Sequence, residues 1–216
     1  MLTKLFCRVP ASALRPEAEL LLCCAWSSTD SERAARTRAL LREELNWEYL
    51  LRKASEHGMM PLLYRHLDAT APEAVPKVIL YRLRDHFREN TRRNLFLTGE
   101  LLKLLNLFEA HRIPAVPYKG PMLAALVYGN LALRHSGDLD ILVHKRDVLR
   151  AKELLVSLGY RQQDQLTSEQ VAGVLQSPHE HHFSFESDKS IVELHWRIMP
   201  GHSSFPLETE FLWGRL

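Results

Sequence analysis

Three short stretches of the chain combine residue types with spacings that can do chemistry. The first, Tyr118 to Val143, reads YKGPMLAALVYGNLALRHSGDLDILV. It opens on a Lys119-Gly120-Pro121 turn and ends with Asp138 and Asp140 alternating with Leu139 and Ile141. Residues two apart on a strand share a face, so both carboxylates point one way and the two apolar side chains the other. Two carboxylates on one face offer the hard oxygen ligands that a divalent cation takes. A helix starting at Pro121 turns its positive end toward whatever precedes it, and Gly120 lets backbone amides approach closely, so the turn can receive a phosphate. The second stretch, IVELHWRI, places Glu193 and His195 on one face and sends Trp196 into the core. His195 then lies beside a site, or only packs and bonds a backbone carbonyl. The third holds His179, His181 and His182; lacking a second ligand group, it reads as a surface loop rather than a zinc site.

The elements that must position these residues follow from pattern and punctuation. Pro16 to about Trp26 has a proline suited to a first helical turn and then an apolar stripe. Thr29, Asp30 and Ser31 offer caps for SERAARTRALLREEL, with Ala35, Leu41 and Leu45 facing inward. A helix from Trp47 to His57 stops at Gly58, and another runs from Met59 to Leu67. DATAPEAVP is an exposed connection, either a loop or a domain boundary. Lys77 to His111 makes one long helix or two joined end to end. Its Arg84, Arg88 and Arg92 recur along one side, either as a solvated face partly neutralised by Asp85 and Glu89 or as a contact for a phosphate-bearing substrate.

Beyond Arg112, IPAVPY suits a strand at a sheet margin, MLAALVYG about two helical turns, and DLDILV the next strand. An amphipathic helix spans Arg146 to Leu158, a further helix Ser168 to Gln176, and HHFSFES with IVELHWRI form a β-hairpin turning at Asp188-Lys189. The organisation is therefore α+β, a helical region over residues 1–111 packing on a core over 112–216.

Composition bounds the function. With 46% hydrophobic and 25% charged residues the chain reads as an ordinary globular protein, and 28 basic against 26 acidic side chains give no global pull on nucleic acid. Cys7, Cys23 and Cys24 are too few and too adjacent for a disulfide framework, which fits a reducing cytoplasm. The opening MLTKLFCRVP is too short for a secretory signal, and no run approaches the length of a membrane span.

The ordered set of VPYKGPMLAALVYG, LRHSGDLDILV, a helix ending in SLGY, and IVELHW resembles the DNA polymerase beta-type nucleotidyltransferase superfamily, and within it a bacterial branch of nucleotidyltransferase family proteins. The likeness extends upstream through LNWEYLLRKASEHGMMPLLYRHL, so it covers the chain from about Asn46 onward. It implies a small mixed sheet with helices on one side and three carboxylates on neighbouring strands. Asp138 and Asp140 correspond to the paired metal ligands and Glu193 to the third carboxylate, while Lys119 and Gly120 occupy the phosphate-facing turn. A Lys-Gly pair stands where Gly-Ser is more usual, which removes a hydroxyl, and glutamate stands where aspartate is commoner. The chain ends soon after the hairpin, at FLWGRL, where related chains often continue into further helices.

The activity so implied is transfer of a nucleoside monophosphate from a nucleoside triphosphate, ATP among them, to a hydroxyl of a small molecule or protein. Two magnesium ions, replaceable by manganese, would be held by Asp138, Asp140 and Glu193, with Glu193 helping to deprotonate the acceptor. Lys119 and Arg134 would neutralise the β and γ phosphates. One alternative is an inactive member kept as a nucleotide-binding or protein-interaction module. Another is a nucleic-acid-modifying enzyme using the arginine row, against which the near-neutral charge argues.

Overall fold

The computed structural model describes residues 14–26, 30–163, 168–177, 182–187, 190–198 and 213–214. The chain packs as two compact units, Met1–Arg92 with Tyr128–His135, and Arg93–Val127 with Ser136–Leu216. The division runs through a helix, α5 (Lys77–Ala110), and not through the alanine- and proline-rich connection. That connection is a loop inside the first unit: Pro72–Ala74 form a single 3-10 turn, with Ala71 and Val75 buried on either side. No helix among the described residues is long and apolar enough to cross a membrane.

The first unit is helical. Helices α1 (Pro16–Cys24), α2 (Ser31–Leu40), α3 (Trp47–Glu56) and α4 (Met60–Thr70) join the first part of α5 around Leu20, Leu40, Leu50, Leu63, Leu67 and Leu83. Caps set the starts: the Asp30 carboxylate accepts from Arg33 N at 2.8 Å, and Asn46 Oδ1 accepts from Tyr49 N at 2.9 Å, each satisfying an otherwise orphaned amide. α2 ends at Leu40, earlier than its apolar pattern suggests, with Thr37 and Leu40 buried; Leu41 and Leu45, just past its end, pack partly buried against the same core, and Ala35 is exposed. The Thr37 hydroxyl lies 2.7 Å from His66 Nε2 in the interior, so a polar contact draws in the face that the apolar count assigned elsewhere. Arg84 sits 3.9 Å from Asp85 and Arg92 3.5 Å from Glu89, with Arg88 exposed, which is the pattern of a solvated helix face. Cys23 and Cys24 are free thiols.

Glu17 is the buried carboxylate of this unit. Its side chain is 4% exposed, Oε1 accepts from Asn46 N at 2.8 Å, and Arg15 Nε lies 3.3 Å from Oε2. Burial pushes its pKa up, but the Asn46 amide and the Arg15 charge outweigh burial, and the net shift is downward. A carboxyl depressed on folding contributes stability that is present above its unfolded pKa and is lost as pH falls through its folded one. Glu17→Gln is therefore expected to cost about 1.5 kcal/mol at neutral pH, the lower end for a hydrogen bond to a charged group. Melting temperatures of the two proteins should begin to converge as pH falls below about 4.3, the ordinary glutamate value; a gap that persists undiminished at pH 3 would assign the loss to packing.

The second unit holds a five-stranded mixed sheet in the order β1-β2-β5-β4-β3: β1 (Ala115–Pro117), β2 (Asp138–Val143), β3 (Arg161–Gln162), β4 (His182–Glu186) and β5 (Ile191–His195). β2 and β5 run parallel; the other pairs are antiparallel. β1 is an edge strand, which suits its Pro117, whose nitrogen has no hydrogen to give to a ladder. β4 and β5 pair as the expected hairpin, whose Asp188-Lys189 turn lies outside the described residues.

Period-two alternation divides the faces. Leu139, Ile141 and Val143 of β2, Val192 and Leu194 of β5, and Phe183 and Phe185 of β4 join one buried cluster. They pack with Leu97, Leu101, Leu104 and Phe108 of α5, with α7 (Val148–Ser157), and with Val171 of α8 (Ser168–Gln176). The fold is thus α+β with a helical region before the sheet. The helix-covered face anchors the strands, and the opposite face carries the acidic residues.

Candidate active site

The site is assembled by register. In the parallel pair β2·β5, Asp138 stands opposite Ile191, Asp140 opposite Glu193, and Leu142 opposite His195. Register partners point to the same face, so Asp140 and Glu193 become neighbours, with Asp138 one step along the strand. On the other flank, β4 sets Ser184 opposite Glu193 and His182 opposite His195.

A third side of the site comes from the turn into α6 (Gly120–Tyr128). Tyr118 N donates to the Asp140 carbonyl at 3.4 Å, extending the β1·β2 ladder by one residue. The next side chain, Lys119, reaches Asp140 Oδ1 with Nζ at 2.8 Å. Gly120 follows with φ +56°, and a Cβ there would stand 3.1 Å from the Asp138 backbone oxygen. Glycine is therefore demanded twice, by the left-handed backbone and by the close passage of β2.

His195 sits at the centre, with its side chain 1% exposed. Its Nε2 lies 3.1 Å from Asp140 Oδ1 and 3.1 Å from Glu193 Oε2. Tyr118 meets the imidazole edge-on, with ring centroids 5.2 Å apart, and His182 lies against it at 4.8 Å. His182 Nε2 is 3.9 Å from Glu193 Oε1.

The charges interact strongly. Burial raises the Asp140 pKa, but the contacts with His195 and Lys119 more than offset it, and the carboxyl is held below its usual range. It is an anion at neutral pH. Burial together with the charges of Asp140, Glu193 and Asp138 pushes the Tyr118 phenol upward, so it stays protonated. Its buried oxygen has no hydrogen-bond partner among the described residues.

Of the residues expected from sequence, Asp138, Asp140, Glu193, Lys119 and Gly120 all belong to the second unit, and contacts link Asp140 to Glu193 through His195 and to Lys119 directly. Arg134 belongs to the helical unit, where its carbonyl accepts from Asn90 Nδ2 at 3.2 Å. His182 is a β4 residue, as the hairpin pattern placed it, and its side chain faces Glu193 and His195, a ligand group that the histidine-rich stretch by itself lacks; His179 and His181 lie outside the described residues. Sequence reasoning missed this because the register of β4 on β5, which supplies the second ligand group, depends on the hairpin turn. The alternation of His182 with Phe183 and Phe185 was the available signal. Asp138, Asp140 and Glu193 offer the hard oxygen atoms that a divalent metal takes as ligands. The cleft lined by His144, Lys145, Arg146, Ala172, Leu175 and Gln176 holds about 550 Å³, yet none of the carboxylates lines it, so volume does not locate the chemistry.

No curated protein matches the chain. The sequence model of a family described as "Uncharacterised nucleotidyltransferase" matches residues 43–216, a span that contains the whole sheet and each of its acidic residues, and the chain belongs to that family.

Proposed function

We propose that the protein transfers a nucleoside monophosphate from a nucleoside triphosphate to a hydroxyl of a small molecule or protein, with Asp138, Asp140 and Glu193 holding magnesium. The observation that carries this reading is the parallel register of β2 and β5, which sets Asp140 beside Glu193 on the face bearing Asp138, next to the Gly120 turn. Magnesium bound there would neutralise triphosphate charge and acidify the acceptor hydroxyl.

The chain's own residues supply the rest. The left-handed Gly120, with no side chain of its own, lets backbone amides at the start of α6 approach a phosphate. Lys119 holds an ammonium beside the acidic face, where it shields the approach of a polyanion to three carboxylates. His195 stands between Asp140 and Glu193, with Nε2 3.1 Å from an oxygen of each, and Glu193, the more exposed of those two carboxylates, accepts the acceptor's proton. These groups all lie in one unit, so Arg134 has no assigned step.

The four nucleoside triphosphates, each with and without magnesium, provide the test. A ligand that binds the native state raises the melting temperature by an amount set by its affinity, about 2.7 kcal/mol of stabilisation at a hundredfold excess over Kd. At least one triphosphate is expected to stabilise the protein only when magnesium is present, and to release pyrophosphate once an acceptor is supplied. Stabilisation without pyrophosphate release over a broad acceptor panel would favour a nucleotide-binding module. No stabilisation by any of the four would remove the reading.

A further inference from the structure

We infer that His182, Glu193 and His195 form a site for a divalent first-row transition ion, so that one cation of the acidic face is held by nitrogen as well as oxygen. This deepens the proposed function, on which it rests for what the bound ion does, by naming the class of that ion.

The three ligand atoms lie within 4.8 Å of one another. Donors about 2.1 Å from one ion stand about 3.0 Å apart at right angles and about 3.4 Å apart in a tetrahedron. The separation of 3.1 Å between His195 Nε2 and Glu193 Oε2 already falls in that range; His182 Nε2 stands 3.9 Å from the other carboxylate oxygen, Oε1, and the set, spread over 4.8 Å, closes onto one ion when the His182 side chain turns inward. His182, with 28% of its side chain exposed, has room for that rotation.

Hydrogen bonding alone serves this corner poorly. Nε2 carries at most one proton, yet it faces Asp140 Oδ1 and Glu193 Oε2 at the same 3.1 Å: a single N–H aimed at one oxygen reaches the other only through a bent, shared bond, and an unprotonated Nε2 turns its lone pair on both. A cation shared by the donors resolves the geometry. The backbone holds them ready, since His182 and His195 are register partners in a paired ladder and Glu193 precedes His195 by two on the same face. Two imidazoles and one carboxylate suit zinc, cobalt or iron, whereas magnesium prefers oxygen throughout.

The test uses the tag-free full-length chain, stripped of metal and titrated with cobalt(II) in the absence of nucleotide, with visible absorption as the readout. A saturable d–d band at one ion per chain is expected, undiminished by excess magnesium. In His182→Ala and in the volume-conserving His182→Gln the affinity should fall at least about tenfold, whereas Asp138→Asn should keep the band while losing magnesium-dependent triphosphate stabilisation. Absence of the band, or a band of unchanged affinity in both His182 variants, overturns the inference. If the band is absent while the wild-type protein still shows magnesium-dependent stabilisation by a triphosphate, only the transition-ion site falls. A band without any triphosphate stabilisation supports the ion site and sinks the transferase reading.

Discussion

Asparagine at both Asp138 and Asp140 is expected to weaken magnesium-dependent triphosphate affinity at least about a hundredfold, a loss of about 2.7 kcal/mol, and to bring pyrophosphate release below detection. The amide keeps each side chain's size and removes the charge that holds a hard cation. The two positions separate cleanly. Asp140 is buried, and its carboxylate bonds both Lys119 and His195, so its replacement also costs stability, about 1.5–3 kcal/mol for charge-assisted bonds. That corresponds to roughly 3 to 12 °C of melting temperature in a chain of this size. Asp138 is half-buried at the first position of β2, and Asp138→Asn should leave the melting temperature within about 2 °C of wild type while removing most of the nucleotide effect. Isothermal titration of the single and double variants beside their thermal unfolding checks both quantities. Unchanged magnesium-dependent affinity in the double variant would count decisively against the site.

What the chain disclosed before folding was whatever depends on short-range order. Helix starts could be read because Pro16 and Asp30 act within a turn of their own positions, and Asp138 and Asp140 share a face because period two is a property of any strand. The side of the sheet that takes the core was legible from Leu139, Ile141, Phe183 and Phe185 for the same reason. Long-range register was not. Nothing local states that β5 lies parallel to β2 with Glu193 beside Asp140, or that the two-residue β3 closes the far edge. Glu193 was named through family likeness, and the nearness of His182 to it was not anticipated, because ligand geometry across strands exists only once the strands are paired. α2 shows the same limit in small: Thr37 is buried by His66, a residue 29 positions away, against the apolar count of its own helix.

The Gly120→Val variant should lose stability before it loses any phosphate, and by more than a nucleotide-site mutation ordinarily would. At φ +56° any side chain carries the left-handed penalty of about 1–2 kcal/mol, and a β-branched one sits worst there. The added Cβ meets the Asp138 backbone oxygen at 3.1 Å, and that oxygen belongs to the strand that carries the acidic pair and cannot retreat as a flexible side chain would. Strain and contact together should cost roughly 3 kcal/mol. Either the turn opens and Lys119 swings away from Asp140, or β2 shifts against β5 and Asp140 loses its register with Glu193; both outcomes dismantle the face. Thermal unfolding without nucleotide isolates this effect from phosphate binding. Gly120→Ala, which adds the Cβ but no branch, should fall between valine and wild type. A valine variant that melts with the wild-type protein yet no longer binds triphosphate would mean that Gly120 serves only the ligand and that the backbone passage beside Asp138 tolerates a side chain.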